Sequence, residues 1–383
     1  MKIGILTYHR AKNYGAFLQA YGLCQRLNQE PDIDAEIIDF HMKKETDSYY
    51  HRRRNVSLAW LRYLKWLLLN FKTFLFEKRM YPKFDEAVTK LPLSSEHVCS
   101  NEIAAFQKLV KDQYDLIIVG SDEVWKADAY RGFPTPYWLP GDLGCIKVSY
   151  AASSRTDFSK LGEDVIEEIA GYLNDFSYIS VRDSMTKFNI DKYIHPAAEV
   201  VQYSDPSFVY DYHPDPERGR ALLRDRAKAD PGKKICIVMI GKANAAVTEQ
   251  IRRELSDEYQ MIAVFERHDS YNNLWNLDPF DWVDVIAAAD LVCASFFHAV
   301  CFSIICHTQF LAFNVDNKIS KLYDVLDASN NLFRLIENNA EFYTEGFLKD
   351  KTSNIISCEM SDDYVTKCRE EFEEYIAVLR GLQ

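Results

Sequence analysis

The sequence lacks features that would each have pointed to a particular class of protein. Its nine cysteines include no Cys-x-x-Cys pair, and several lie inside apolar runs, so we expect reduced core residues and no structural zinc site. No apolar run is long enough to predict a membrane-spanning helix. The first residues, MKIGILTYHR, are too short an apolar run for a signal peptide and lack a cleavage pattern. We therefore expect a cytoplasmic protein.

A net positive charge is also lacking, since the 383 residues carry a formal net charge of −12. An acidic protein is repelled by the phosphate backbone, so we expect no nucleic-acid partner. No clustered spacing of His and carboxylate residues suggests a metal site either. We expect no metal and no cofactor.

One segment reverses this charge. Residues 50–84 contain nine Lys or Arg residues and one acid, a local balance of +8. Trp, Phe and Leu residues stand between these charges, which is typical of a helix at an anionic membrane interface. The alternative is an amphipathic helix whose apolar face packs on its own domain. On the first interpretation, the protein works at the inner face of the cell membrane.

The sequence does contain enough apolar residues for two hydrophobic cores, since 48% of its residues are hydrophobic and 14% are aromatic. Short apolar runs alternate with helical patterns, which predicts two α/β domains with parallel sheets. A segment rich in Pro and Asp, 205–217, indicates a linker between domains 1–210 and 211–383, and 361–382 reads as a final amphipathic helix. Strands are expected near 2–8, 36–40, 115–120, 148–152, 179–181, 234–241, 261–265, 291–295 and 310–315.

Candidate binding residues follow strands of the first domain. Asn13, Tyr14 and Gly15 open a helix, and Asn13 is either its cap or a partner for a sugar hydroxyl. Ser121 and Asp122 follow the strand near 115–120. A hydroxyl and a carboxylate at this place suit an acceptor contact or a general base, although they could simply cap the next turn.

Arg182 follows the strand near 179–181. Its guanidinium could bind a carboxylate or phosphate with two hydrogen bonds. An ordinary ion pair with Asp183 is the alternative.

In the second domain, the strand near 291–295 ends in Ser295, and His298 opens the following helix. Lys318 comes after the next strand. Open α/β sheets bind ligands beyond the carboxyl ends of their strands, so these residues are candidates for one anion-binding site. The alternative is a buried structural histidine and a surface lysine.

Several segments resemble the motifs of the polysaccharide pyruvyl transferase family, in the same order along most of the chain. They are NYGAFLQAYGL, DLIIVGSDEVWK, SYAAS, ISVRD, DPSFV and DWVDVIAAADLVCASFFHAVCFSIICHTQFLAF, followed by NKISKL. The resemblance implies two Rossmann-like domains similar to the GT-B glycosyltransferase fold, with a cleft between them. The amino-terminal domain would hold the acceptor and the carboxyl-terminal domain the donor.

The resemblance also implies a reaction. Phosphoenolpyruvate, a co-substrate, would donate its enolpyruvyl group to a pair of sugar hydroxyls and form a pyruvate ketal in capsular or exopolysaccharide biosynthesis. We expect the acceptor to be a lipid-linked oligosaccharide. The residues implied at the donor are Arg182, Ser295, His298 and Lys318, with His298 and Asp122 catalytic, and those at the acceptor are Asn13, Tyr14, Gly15, Ser121, Asp122 and Trp125.

Three positions depart from the family's pattern. Phe296 stands where many relatives carry Arg, Glu123 where they usually carry Gln, and Arg155 where they tend to carry an aromatic residue. Other functions stay open, namely a nucleotide-sugar glycosyltransferase and a non-catalytic sugar-binding subunit. The retained cationic residues at 182, 298 and 318 argue against the second.

Overall fold

The computed structural model describes residues 1–45, 68, 71–127, 132–315, 319–356 and 360–383. The chain divides into two compact units. The first unit comprises Met1–Asn55, Val88–Asp211 and Lys367–Gln383, and the second comprises Val56–Ala87 and Tyr212–Thr366. The expected domains, 1–210 and 211–383, differ from this division because Val56–Ala87 groups with the second unit and Lys367–Gln383 with the first.

The strands are short. Those of the first unit are β1 (Lys2–Leu6), β2 (Asp34–Ile37), β3 (Phe40–His41), β4 (Val98–Cys99), β5 (Leu116–Val119), β6 (Ile146–Ser149), β7 (Ile179–Val181) and β8 (Val200–Gln202). Those of the second unit are β9 (Lys234–Met239), β10 (Tyr259–Val264), β11 (Asn272–Leu274), β12 (Leu291–Ala294), β13 (Phe310–Asn314) and β14 (Leu335–Glu337).

Helices alternate with these strands. In chain order they are α1 (Tyr14–Leu27), α2 (Phe71–Val88), α3 (Ile103–Val110), α4 (Glu163–Asn174), α5 (Ser184–Tyr193), α6 (Pro216–Ala227), α7 (Ala245–Leu255), α8 (Pro279–Ala287), α9 (Phe297–Ile305), α10 (Ile319–Ala328), α11 (Phe347–Ile356) and α12 (Asp363–Gly381). Their starts follow local chemistry: at α8, the Asp278 side chain accepts from the N–H groups of Phe280 and Asp281, and Pro279 takes the first helical position.

The first unit is built on a parallel sheet in the order β2, β1, β5, β6. All four residues of β5, LIIV, are buried, as expected for a parallel strand covered on both faces. Isolated bridges from Val148 to Tyr178 and from Ala152 to Val181 connect the β6 side of this sheet to the parallel pair β7 and β8. The strand ends after β5, β6 and β7 therefore lie side by side.

The second unit is built on a parallel sheet in the order β11, β10, β9, β12, β13, β14. β12 lies between β9 and β13, and its four residues, LVCA, are buried. The carboxyl end of β12 is thus a central position in the sheet, where a following loop has neighbouring strand ends on both sides.

The first residues of the predicted linker, 205–217, are part of the folded first unit. Asp205 is buried, and the 3₁₀ turn Pro206–Phe208 that follows it is also buried. The Asp205 side chain accepts from the Ser207 N–H, which explains the turn. Residues 205–209 therefore belong to the first unit, and the division falls between Asp211 and Tyr212.

Most of the basic segment, residues 50–67 and 69–70, lies outside the described residues. Within α2, Met80, Phe84 and Val88 are buried at helical spacing, and the Arg79 guanidinium lies 5.2 Å from the Trp275 ring centroid. Phe71, at the start of α2, is exposed. This end of the segment packs as an amphipathic helix. In the part of the chain that the structure describes, no helix has the length and apolar character needed to span a membrane.

The final helix packs on the first unit from Lys367 onward. The Tyr375 hydroxyl donates to the Ser149 carbonyl at 3.3 Å, and Arg380 forms ion pairs with Asp32 and Glu30. These contacts explain why residues distant in sequence share a unit with β1 and β2.

Candidate functional site

The loop after β5 brings polar residues to the carboxyl end of the first sheet. Gly120 has a φ of +119°, and a Cβ at this position would lie 2.4 Å from the Tyr150 carbonyl oxygen, so only glycine fits. Ser121 and Asp122 follow, and Asp122 bridges to Ala152 beside β6. The structure thus places both predicted residues where the strand ends meet.

Arg182 reaches the same place from the end of β7, but its charge is already paired. Its Nη1 donates to Asp205 Oδ2 at 2.7 Å, and both side chains are almost fully buried. Asp122 Oδ1 lies 3.8 Å from Nη2. Burial lowers the pKa of the Arg182 guanidinium, but the charges of Asp205 and Asp122 outweigh this effect and raise the pKa above its ordinary value.

This geometry favours the ion-pair interpretation of Arg182 over a donor contact, with a different partner from the one expected. The charge of Asp183 also contributes to the raised pKa of Arg182. The Asp183 carboxylate accepts from the Thr186 N–H, which caps α5, and from the Ser153 hydroxyl. The buried pair with Asp205 leaves Arg182 poorly suited to bind a second anion.

Ser121 is part of a buried network. Its hydroxyl donates to Asp205 Oδ2 at 3.3 Å, while its backbone N–H donates to Gln19 on α1 and its carbonyl accepts from the Thr7 hydroxyl. Ser121 is fully buried. The network fixes the loop after β5 against β1 and α1, so Ser121 is a structural residue and not an exposed acceptor contact.

Three other predicted acceptor residues are also buried. Trp125 is fully buried, its indole N–H donates to the Tyr137 carbonyl, and its ring stacks on Trp138 at 5.6 Å. Tyr14 and Gly15 are buried in the first turn of α1. The core covers all three residues, so this structure does not present them to a sugar, and their role as acceptor contacts stays a prediction.

Asn13 and Asp122 remain partly accessible. The Asn13 side chain accepts from the Ala16 N–H at 3.2 Å and caps α1, which was one of the two expected roles. Asp122 Oδ1 accepts from the Glu123 N–H at 2.7 Å. For Asp122 Oδ2, no hydrogen bond is present among the described residues. Asp122 is therefore the carboxylate of this region best placed to contact a ligand.

Two of the departures from the family's pattern contact each other. Arg155 Nε lies 3.3 Å from Glu123 Oε1, and Lys126 forms a close ion pair with Glu123 Oε2. Sequence reasoning singled out Glu123 and Arg155 separately and overlooked Lys126. The three-residue spacing of Glu123 and Lys126 was the signal available in the sequence.

A second charged cluster was overlooked. Arg10 makes two hydrogen bonds of 2.6 Å to Asp39, and His9 Nε2 lies 3.0 Å from the same carboxylate. Burial alone would raise the pKa of Asp39, but hydrogen bonds from His9 and Arg10 lower it well below its usual range. The His-Arg pair directly after β1 was the available signal, at a strand end like the others.

In the second unit, the loop after β12 is held by its neighbour β9. The Ser295 N–H donates to the Met239 carbonyl at 3.0 Å, and the Ser295 hydroxyl accepts from the Gly241 N–H at 3.4 Å. Ser295 is half-buried. Ser295 thus lies at the carboxyl end of β12, as predicted, with its hydroxyl bonded to the segment after β9.

His298 is the second residue of α9 and is half-buried. Its ring contacts that of Phe297, with centroids 5.2 Å apart. Phe296 precedes α9 and provides no side-chain cap, and its ring packs edge-on against Phe265 at 5.3 Å. The departure at position 296 thus replaces a cation by an aromatic contact. Lys318 lies outside the described residues.

No group of three or more His, Cys, Asp or Glu side chains within the described ranges is arranged to hold a metal ion. The two strand ends thus offer different chemistry: a partly exposed carboxylate among paired charges in the first unit, and a hydroxyl and an imidazole at a helix start in the second.

Comparison with known proteins decides the family. The family profile described as polysaccharide pyruvyl transferase matches residues 13–317, which include both strand ends. The chain belongs to the polysaccharide pyruvyl transferase family. A comparison with curated protein sequences gives no match.

Solved structures similar to this family member show its fold. The UDP-GlcNAc 2-epimerase from Methanocaldococcus jannaschii is 11% identical with a TM-score of 0.55, covering 94% of each chain. The UDP-GlcNAc 2-epimerase from Neisseria meningitidis bound to UDP-GlcNAc is 7% identical with a TM-score of 0.56, covering 98% of this chain and all of the other. Anabaena Alr3699/HepE in complex with UDP and glucose is 12% identical with a TM-score of 0.54, covering 98% and 99%. The expected two-domain α/β fold of GT-B type is confirmed.

Proposed function

We propose that the protein transfers the enolpyruvyl group of phosphoenolpyruvate to two hydroxyls of one sugar and forms a pyruvate ketal. Membership of the polysaccharide pyruvyl transferase family over 13–317 carries this proposal. The half-buried His298 in the first turn of α9 supports it, because an imidazole there can contact a phosphate and transfer a proton.

The bonds made and broken in ketal formation determine which groups the site needs. The two sugar oxygens bond to C2 of the donor, the C2–O bond to phosphate breaks, and the double bond to the methylene is consumed. One hydroxyl proton ends on the methylene carbon, which becomes a methyl group, and the other leaves with the phosphate. The site therefore needs an anion-binding element and a group that moves a proton.

We assign the donor to the carboxyl end of β12. There, the N–H groups at the start of α9 and the Ser295 hydroxyl are hydrogen-bonding groups for phosphate or carboxylate oxygens, and charged His298 adds a cation. Lys318 is proposed as a second cation on sequence grounds. Arg182 is proposed to position Asp122 and Asp205 in the first unit instead of contacting the donor.

We assign a sugar contact or base to Asp122, and we propose Asn13 as a further polar contact in the same unit. Asp122 is supported by the partial exposure of its side chain, 22%, whereas the nearby Asp205 is fully covered and both oxygens of Glu123 are held by cations. A carboxylate suits this role because it accepts hydrogen bonds from sugar hydroxyls and can take up a proton.

The test is to incubate the protein with phosphoenolpyruvate and a panel of lipid-linked galactosyl, mannosyl and N-acetylhexosaminyl acceptors. We expect phosphate release and a product heavier than the acceptor by one pyruvate less one water. A parallel incubation with UDP-sugars tests the alternative glycosyltransferase function. Release of UDP without any use of phosphoenolpyruvate would overturn the proposal, and use of neither donor would favour a sugar-binding subunit.

We also propose a peripheral membrane contact through 50–84, in support of a lipid-linked acceptor. Its charge balance of +8 is opposite to the net charge of the chain, and each Lys or Arg near an anionic surface contributes about 1 kcal/mol. We expect the protein to sediment with phosphatidylserine vesicles at low salt and to detach as salt rises. Replacing Arg52, Arg53, Arg54, Arg62 and Lys65 with Gln should abolish sedimentation but keep turnover of a water-soluble acceptor. A wild-type protein that ignores such vesicles would contradict the membrane contact.

A further inference from the structure

The ion cluster of Glu123, Lys126 and Arg155 carries unbalanced charge at the carboxyl end of the first sheet. Both oxygens of Glu123 are engaged by different cations, Arg155 Nε at Oε1 and Lys126 Nζ at Oε2. One carboxylate therefore faces two positive groups. These three side chains together carry one positive charge, next in sequence to the Asp122 carboxylate, in a protein whose net charge is −12.

The cluster is held firmly by backbone hydrogen bonds. The Trp125 N–H donates to the Ser153 carbonyl at 3.1 Å, and the Ala127 N–H donates to the Thr156 hydroxyl at 3.0 Å. These bonds join the segment after β5 to the segment after β6, on either side of the ion pairs. The two cations are thus presented from segments that are hydrogen-bonded to each other.

Arg155 is the open member of the cluster. Its side chain is 40% exposed, whereas those of Glu123 and Lys126 are 17% and 16% exposed. The contact with Glu123 uses Nε. Within the described part of the chain, no hydrogen-bond partner is present for either terminal nitrogen. The free edge of a guanidinium matches the two oxygens of a carboxylate or phosphate.

We propose that Arg155, supported by Lys126, forms an anion subsite for an acidic group carried by the sugar acceptor. The inference rests on the proposed function for its ligand, since it assigns the acceptor to the first unit beside Asp122. A phosphate on the anomeric carbon, as in a lipid-linked or nucleotide-linked sugar, and a uronic acid carboxylate share the required chemistry. Glu123 limits the strength of the subsite, because it neutralises part of the charge.

The proposal predicts that substitutions of Arg155 and Glu123 change the affinity for an anionic sugar in opposite directions. Arg155→Gln should weaken binding of an anionic sugar about tenfold, the usual effect of losing a hydrogen bond to a charged group. Glu123→Gln should strengthen it, because both cations lose their competing carboxylate. Lys160→Gln is the matched control, since Lys160 is a highly exposed lysine of the same unit, paired with Asp157.

The experiment is calorimetric titration of the full-length protein with the 1-phosphates and methyl glycosides of galactose, mannose and N-acetylglucosamine, with galacturonic acid, and with phosphoenolpyruvate. We expect an acidic sugar to bind about tenfold more tightly than its neutral counterpart, with the advantage lost in Arg155→Gln, kept in Lys160→Gln and increased in Glu123→Gln. Preference for the 1-phosphate indicates a phosphate-linked acceptor, and preference for galacturonic acid indicates a uronic acid.

The proposed subsite is wrong if the wild-type protein binds acidic sugars no more tightly than neutral ones. It is equally wrong if Arg155→Gln still binds the acidic sugars more tightly. It is also wrong if Arg155→Gln weakens phosphoenolpyruvate binding instead, because the cluster would then serve the donor. Sugar binding is measured without turnover, so a protein that binds acidic sugars through Arg155 but releases no phosphate from phosphoenolpyruvate would contradict only the proposed reaction.

Discussion

The carboxyl ends of the two parallel sheets are built from different kinds of side chain. In the first unit, cations lie against carboxylates, and the pairing is most complete for the buried Arg182 and Asp205. In the second unit, His298 contacts the ring of Phe297, and the preceding Phe296 packs against Phe265. The buried pair of the first unit holds its loops together, whereas the second unit offers an imidazole that can transfer a proton.

Removal of Arg182 should have the largest effect, and it should be on stability. In Arg182→Ala the Asp205 carboxylate is left buried without its cation, which typically costs about 3–5 kcal/mol of unfolding free energy. Urea unfolding measures this value. Lys187→Ala is the matched control, since it breaks an exposed ion pair with Asp191 and should cost no more than about 1 kcal/mol. If the Arg182→Ala protein is stable but fails to use phosphoenolpyruvate, Arg182 binds the donor as the sequence predicted.

Removal of His298 should lower the rate of the reaction and leave stability nearly unchanged. We expect His298→Ala to lower the rate of transfer about a hundredfold or more, with little change in unfolding free energy, because the residue is half-buried at a helix start. His307→Ala is the control, as His307 follows the other end of α9 and is bonded to Asp362. Full transfer by a well-folded His298→Ala protein would remove the catalytic assignment.

The smallest effect concerns the residue before α9. Phe296→Arg should bind phosphoenolpyruvate about fivefold more tightly, since an exposed ion pair contributes up to about 1 kcal/mol. Phe296→Leu is the control that loses the ring contact with Phe265 without adding charge. Equal affinities of the Arg and Leu variants would mean that position 296 does not face the donor.

The buried parallel strands were the most predictable part of the fold. Runs such as LIIV in β5 and LVCA in β12 are continuously apolar because both faces of the sheet are covered. β8, β11 and β14 were not predicted, since three residues with polar members leave no clear pattern. They are strands because a neighbouring strand pairs with them.

The candidate site was predictable only as far as strand ends are visible in the sequence. Asp122, Arg182, Ser295 and His298 all follow predicted strands, and the structure places them there. The partner of Arg182 was not predictable, because Asp205 is 23 residues away and sits in a segment whose composition resembles a linker. The burial of Trp125 was not predictable either, because an aromatic residue after a strand can stack on a sugar or pack in the core.

The most direct test of the contrast between the two strand ends is calorimetric titration of phosphoenolpyruvate, without acceptor, into the wild-type, His298→Ala and Asp122→Asn proteins. If the donor binds at the carboxyl end of β12, His298→Ala should lose about tenfold in affinity, and Asp122→Asn should match the wild type. Loss of affinity in Asp122→Asn, with wild-type affinity in His298→Ala, would contradict the account and move the donor to the first unit.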